Sequence, residues 1–123
     1  MPRVLVIDDQ PEIRELLERM LRGSGYEVTV AENGDEGTKL FRADPYDLII
    51  TDIIMPEKEG LETIMELRRD YPDVKIIAIS GGGTGGRDTY LNLACRLGAQ
   101  RAVPKPFKRD ELLAAVKELI GGK

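Results

Sequence analysis

A doubly wound α/β fold, with five parallel strands in one sheet and helices on both faces, is what this sequence predicts. Two observations carry it. Short aliphatic runs alternate with longer amphipathic stretches five times along the 123 residues, and three of those runs are continuous Val/Ile/Leu rather than alternating. Repeated strand-helix units join parallel strands through right-handed crossovers. Continuous apolar runs suit central strands that are covered on both faces.

Each element has its own justification. The first strand is "RVLVID", which runs into two adjacent carboxylates, Asp8 and Asp9. Ile13, Leu16, Leu17, Met20 and Leu21 then recur at helical spacing, and Gly23 and Gly25 close that helix. The second strand is "YEVTVA"; after Asn33-Gly34 comes a shorter helix, Glu36 to Arg42. The third strand, "DLIITD", ends at Asp52, and Leu61, Ile64, Met65 and Leu67 mark the third helix beyond Pro56 and Gly60. The fourth strand, "VKIIAIS", ends at Ser80. A fourth helix from about Arg87 to Leu97 carries Leu91, Ala94, Cys95 and Leu97, spaced as a helical face. "RAVPK" is the fifth strand, and Leu112, Leu113, Val116, Leu119 and Ile120 line the fifth helix. The Leu, Ile and Met positions on the helices are assigned to core. With no internal linker, repeat or low-complexity tail, residues 1–123 are expected to form a single domain, able to bury roughly two-thirds of the surface its unfolded chain exposes.

Composition narrows the function classes. The chain has 18 basic against 22 acidic residues, net −4, which supplies no broad cationic field for nucleic acid or an anionic membrane. A lone Cys95 cannot form an internal disulfide, and "MPRVLVIDD" reaches charge too soon for a signal peptide. There is no apolar stretch of about 18 residues that would span a bilayer. A reducing, cytoplasmic location is expected.

In a flavodoxin-like sheet of order 2-1-3-4-5, ligands bind outside the carboxyl ends of the strands. Those ends are Asp8 and Asp9, Asp52, Ser80 and Lys105. Three clustered carboxylates with no His in the chain suit a hard cation that keeps several waters, and Mg²⁺ fits that description. With the cation holding two carboxylates, the third can act as an oxygen nucleophile toward phosphorus, and a lysine would neutralise charge on the transferring group. The Ser80 hydroxyl is then placed to bind a phosphoryl oxygen.

Plainer readings exist for each residue alone. Asp9 before "QPEIRELL" can cap a helix, with Glu12 completing a capping box. Asp52 near Pro56 can be a turn residue, as can Ser80, and Lys105 can be a solvated loop lysine. Their shared position at strand ends argues against all four holding together. The run "SGGGTGGRDTY" lacks both a Walker pattern and GxGxxG, so it reads as a flexible loop rather than a nucleotide cradle.

Over essentially its whole length the chain resembles the receiver domain of two-component response regulators, including chemotaxis-type regulators. The matching stretches are "VLVIDDQP", "DLIITDIIMPEKEG", "IIAIS" and "PKPF", in that order. The resemblance implies that Asp52 is the phosphoacceptor, charged from a histidine kinase phosphohistidine or a phosphotransfer protein. It implies that Asp9, Asp52 and the Ile54 backbone carbonyl bind Mg²⁺ directly and that Asp8 acts through a water. Ser80, with the backbone of Gly81, and Lys105 would contact the phosphoryl oxygens. The Lys105-Pro106 bond would be cis, an isomer open at low cost only to X-Pro.

Two departures from the family stand out. The aromatic usually found three residues before the lysine is Ala102 here, so no ring can swing there, and the glycine run lengthens the stretch from Ser80 to Lys105. Coupling is therefore expected to run from Ser80 through Gly81 to Gly83 into the fourth helix by ordering of the loop. After Lys105 about one helix remains, which leads to the expectation of a stand-alone switch signalling through a partner surface on the fourth helix, fifth strand and fifth helix; a piece of a longer regulator would read the same. Such a switch catalyses only its own phosphorylation and dephosphorylation. The rival readings are a Mg²⁺-dependent phosphohydrolase, which would ordinarily need a capping insertion, and an FMN-binding flavodoxin-like module.

Overall fold

The computed structural model describes residues 2–53, 60–80, 95–96, 98–104 and 107–121. Its five strands are β1 (Arg3–Ile7), β2 (Glu27–Ala31), β3 (Leu48–Asp52), β4 (Ile76–Ser80) and β5 (Arg101–Pro104). All pairings are parallel, in the order β2-β1-β3-β4-β5. The described residues hold four helices, α1 (Pro11–Gly23), α2 (Gly34–Ala43), α3 (Gly60–Asp70) and α4 (Arg109–Ile120). Helix α4 is the fifth helix of the sequence reading. The expected fourth, about Arg87 to Leu97, lies outside the described residues apart from Cys95 and Arg96, which are helical.

The three continuous apolar runs became β1, β3 and β4, the interior strands. Side chains alternate across a strand, so a run apolar at every position must be covered twice. Leu5 and Ile7 of β1, Ile49 of β3 and Ile76 and Ala78 of β4 pack with Phe41 of α2 and Ile64 and Leu67 of α3. On the other face, Val4 and Val6, Leu48 and Ile50, and Ile77 and Ile79 pack with Leu17, Met20 and Leu21 of α1 and with Leu112 and Val116 of α4. The chain is thereby wound on both faces of the sheet.

Two core assignments are corrected. Leu16 is 45% exposed and Met65 is 51% exposed. The apolar stripe of each helix is wider than the face that meets the sheet. Among the described side chains of α3, the fully buried ones are Thr63, Ile64 and Leu67.

Helix α1 starts later than an Asp9 cap would require. Gln10 is its N-cap and Pro11 its first residue, where the missing N–H costs nothing. The acidic pair is thus left outside the helix. Helix α2 begins at Gly34, with the Asn33 side chain accepting the Glu36 N–H at 2.8 Å. At Gly37 it approaches β1 so closely that an added Cβ would lie 2.3 Å from Ile7 Cδ1. Arg42 of α2 reaches α3, pairing with Glu66 at 3.0 Å and Asp70 at 2.5 Å. Arg69 also bonds Asp70, and together these partners hold the Asp70 carboxyl down at about 2.

Candidate functional site

Strand register builds the site. β1 and β3 are neighbours, with Val4 opposite Leu48 and Ile7 opposite Thr51. One step further along both chains sit Asp8 and Asp52. They continue the parity of Val6 and Ile50, the side chains that face α1 and α4. The chain's winding reverses between these two strands, and that switch point is where open α/β sheets bind ligands.

The carboxylate oxygens of Asp8, Asp9 and Asp52 lie within 4.8 Å of one another. Asp8 is fully buried and Asp52 is 6% exposed, while Asp9 is the least buried of the three. An all-oxygen donor set of formal charge −3, offered by short side chains from two strand ends, fits a small hard cation such as Mg²⁺ rather than a soft one.

The backbone around these groups is fixed on several sides. The Asp8 N–H donates to the Ala31 carbonyl at 3.1 Å, tying the end of β1 to β2. The Gln10 N–H donates to Asp8 Oδ1 at 2.9 Å. Arg14 of α1 donates from Nη1 to the Asp8 carbonyl oxygen at 2.7 Å. On the β3 side, the buried Thr51 hydroxyl donates to the Asp52 carbonyl at 3.0 Å, and the Ile53 N–H donates to the Ile79 carbonyl at 3.0 Å. Sequence reasoning gave Gln10, Arg14 and Thr51 no part. Each acts through or on the backbone, and backbone contacts leave no residue-type signature.

Of the other expected site residues, Ser80 closes β4 opposite Pro104, with its side chain not described. Ala102 sits in β5 opposite Ala78 and packs against the core on the α2/α3 face. Ile54, Gly81 to Gly83, Lys105 and the Lys105-Pro106 bond lie outside the described residues.

The family model of the response regulator receiver domain matches residues 4–117. This chain belongs to that family. The receiver domain is 36% identical over 120 residues to the response regulator MprA of Mycolicibacterium vanbaalenii, covering 96% of this chain and 50% of that protein. The chain thus spans about half the length of the curated relatives it matches. Among solved structures it resembles the response regulator TrrA of Thermotoga maritima, in complex with Mg²⁺-BeF, at 44% identity and a TM-score of 0.86 over 97% of this chain and 99% of that one. A receiver domain protein from Clostridium thermocellum matches at 30% identity and a TM-score of 0.88, over 98% of this chain and 94% of that one. The flavodoxin-like fold expected from the strand pattern is therefore the fold of this family. As a receiver domain the chain is a phosphorylation-activated signalling switch. Neither the phosphohydrolase nor the FMN-binding reading is favoured by these likenesses. Among the described residues, no helix is long and apolar enough to cross a membrane.

Proposed function

We propose that residues 1–123 act as one receiver domain in which Asp52 accepts a phosphoryl group in a Mg²⁺-dependent reaction. The observation that carries this reading is the convergence of Asp8, Asp9 and Asp52, with carboxylate oxygens within 4.8 Å, at the switch point of the sheet. Mg²⁺ would be held by Asp9, Asp52 and the Ile54 carbonyl, with Asp8 acting through water, and would supply charge neutralisation at the transferring group.

In the transfer, an Asp52 carboxylate oxygen forms a bond to phosphorus while the P–N bond of a donor phosphohistidine breaks. The imidazole leaves with that electron pair. Burial of Asp52 favours this step, because few waters compete for the carboxylate or for the acyl phosphate it becomes. Lys105 and Ser80, with the backbone of Gly81, would contact the phosphoryl oxygens. The chain is then substrate and switch rather than an enzyme turning over a free metabolite.

The donor would be a histidine kinase or a phosphotransfer protein in the cytoplasm. Output would pass to a protein partner over β5, α4 and the helix expected between β4 and β5. Net charge of −4 supports a protein partner over direct nucleic-acid binding.

Intact mass after incubation with acetyl phosphate and Mg²⁺ tests the reading. Wild type should gain one phosphoryl group, with none gained when Mg²⁺ is chelated, and Asp52→Asn should not be modified at that position. Unchanged labelling of the variant would remove Asp52 from the role.

A further inference from the structure

Of the three clustered carboxylates, Asp9 is the one whose direction is least secured by its own contacts. It has no hydrogen bond or ion pair among the described residues. It follows β1 rather than lying within it, since the strand ends at Ile7. The peptide that joins it to Asp8 is therefore what places its backbone at the site.

That peptide is planar, so fixing the Asp8 carbonyl direction also fixes the nitrogen and Cα of Asp9. The group that fixes it is Arg14, whose Nη1 lies 2.7 Å from the Asp8 carbonyl oxygen. The Arg14 side chain is only 16% exposed, so little water competes for the contact. Its other visible partner, Glu32, lies 4.0 Å away and is 72% exposed, a geometry that contributes little. The anchor is rigid, because Arg14 stands on the first turn of α1, where its own N–H bonds the Gln10 carbonyl at 3.1 Å. An arginine donating to a neutral carbonyl beside three carboxylates also keeps its hydrogen bond when a cation neutralises those carboxylates. A contact to a carboxylate would instead compete with the metal.

We propose that Arg14 is a positioning residue for the cation site, placing the Asp9 backbone by holding the Asp8–Asp9 peptide plane. This rests on the reading of the acidic cluster as a Mg²⁺ site. Groups that orient ligands without touching the metal typically cost about 10–100-fold in affinity when removed.

The test is a calorimetric titration with Mg²⁺ alone, without any phosphoryl donor, on five proteins: wild type, Arg14→Met, Arg14→Lys, Asp9→Asn and Tyr26→Phe. Arg14→Met keeps the apolar stem but no donor, and should weaken Mg²⁺ binding by about 10–100-fold. Arg14→Lys keeps a charged donor and should recover most of the loss. Tyr26→Phe removes the hydroxyl that donates to the Gly121 carbonyl, far from the site in the chain, and controls for simple destabilisation. Hydrogen exchange at the Gln10 amide, which bonds Asp8 Oδ1, should speed up in Arg14→Met and not in Tyr26→Phe. Wild-type affinity in Arg14→Met alongside a loss in Asp9→Asn would overturn the positioning role and leave the metal site standing. An equal loss in Tyr26→Phe would overturn it as well. Wild-type affinity in Asp9→Asn would instead defeat the reading of the site, and this proposal with it.

Discussion

Gly37 is where helix α2 comes against β1, and replacing it with alanine has a consequence that can be worked from the structure. The new Cβ would stand 2.3 Å from Ile7 Cδ1 and 2.7 Å from Ile7 Cγ1. Ile7 is fully buried, so its side chain has no open space to turn into. Overpacking of this kind costs about 1–3 kcal/mol, and contacts this short belong in the upper half of that range. Alanine offsets about 1 kcal/mol through its better helix propensity. The net expectation is a loss of about 1–2 kcal/mol, or a fall in Tm of roughly 3–6 °C per kcal/mol for a domain between the sizes usually tabulated. Urea unfolding followed by circular dichroism measures it. An internal check sharpens the reasoning. In an Ile7→Ala background the colliding atoms are gone, so Gly37→Ala should there stabilise, reversing its sign. A Gly37→Ala protein more stable than wild type, or no reversal in the double variant, would refute the close-approach argument.

Two further outcomes are expected. The Asp70 carboxyl is held at about 2, against an ordinary 3.8, by hydrogen bonds from Arg69 and Arg42. A depressed carboxylate stabilises the fold above its unfolded value, and that contribution is lost as pH falls through the folded one. The urea midpoints of wild type and Asp70→Asn should thus differ by a constant amount near neutral pH and converge between about 3.8 and about 2. Midpoints that stay parallel to the bottom of that window would show that the α2–α3 pairing does not reach the unfolding equilibrium. At the acidic cluster, Asp9→Asn should weaken Mg²⁺ binding more than Asp8→Asn, since direct ligation is assigned to Asp9. Titration by amide chemical shifts decides this, and the reverse order would interchange the two roles.

The parts of the fold legible in the sequence are those where burial dictates residue type at every position. Ile7, Ile50 and Ile77 stand in runs apolar on both parities, and such runs can only be interior strands, so the central trio β1, β3 and β4 could be named from the chain alone. The helices were less legible in their facing. Leu16 and Met65 fit the 3.6-residue period yet lie at the margin of the stripe, and periodicity does not say how wide a contact the sheet will offer. Thr63 shows the opposite failure, a polar residue fully buried on the face of α3 where an aliphatic would be expected. Gly37 reads in sequence as a weak helical position, because close approach of another element carries no local signal. At the site, Asp8, Asp9 and Asp52 were legible because a carboxylate directly after an aliphatic strand is itself anomalous. Arg14 was not, because an arginine on an amphipathic helix looks like any solvated residue until its partner is known to be a backbone carbonyl.

The same contrast explains how the site divides its labour. Asp8 and Asp52 are set by the β1/β3 ladder, whose register follows from burying Val4, Val6, Leu48 and Ile50 on one face. Slipping either strand by one residue would turn its carboxylate to the opposite face along with its own aliphatics and separate the pair, so the core that stabilises the fold also keeps Asp8 and Asp52 together. Asp9 lies outside this arrangement. It is the more open carboxylate, and the peptide that carries it is the one Arg14 bonds from the helix side. Two of the carboxylates are thus tied to folding itself, and the backbone of the third to a single side-chain hydrogen bond. Substitutions at Asp8 or Asp52 are therefore felt by a buried environment as well as by the proposed cation site, whereas the α1 end of that site can be changed at Arg14 without touching a carboxylate. The place where cation affinity can be tuned independently of the sheet is the β1–α1 loop.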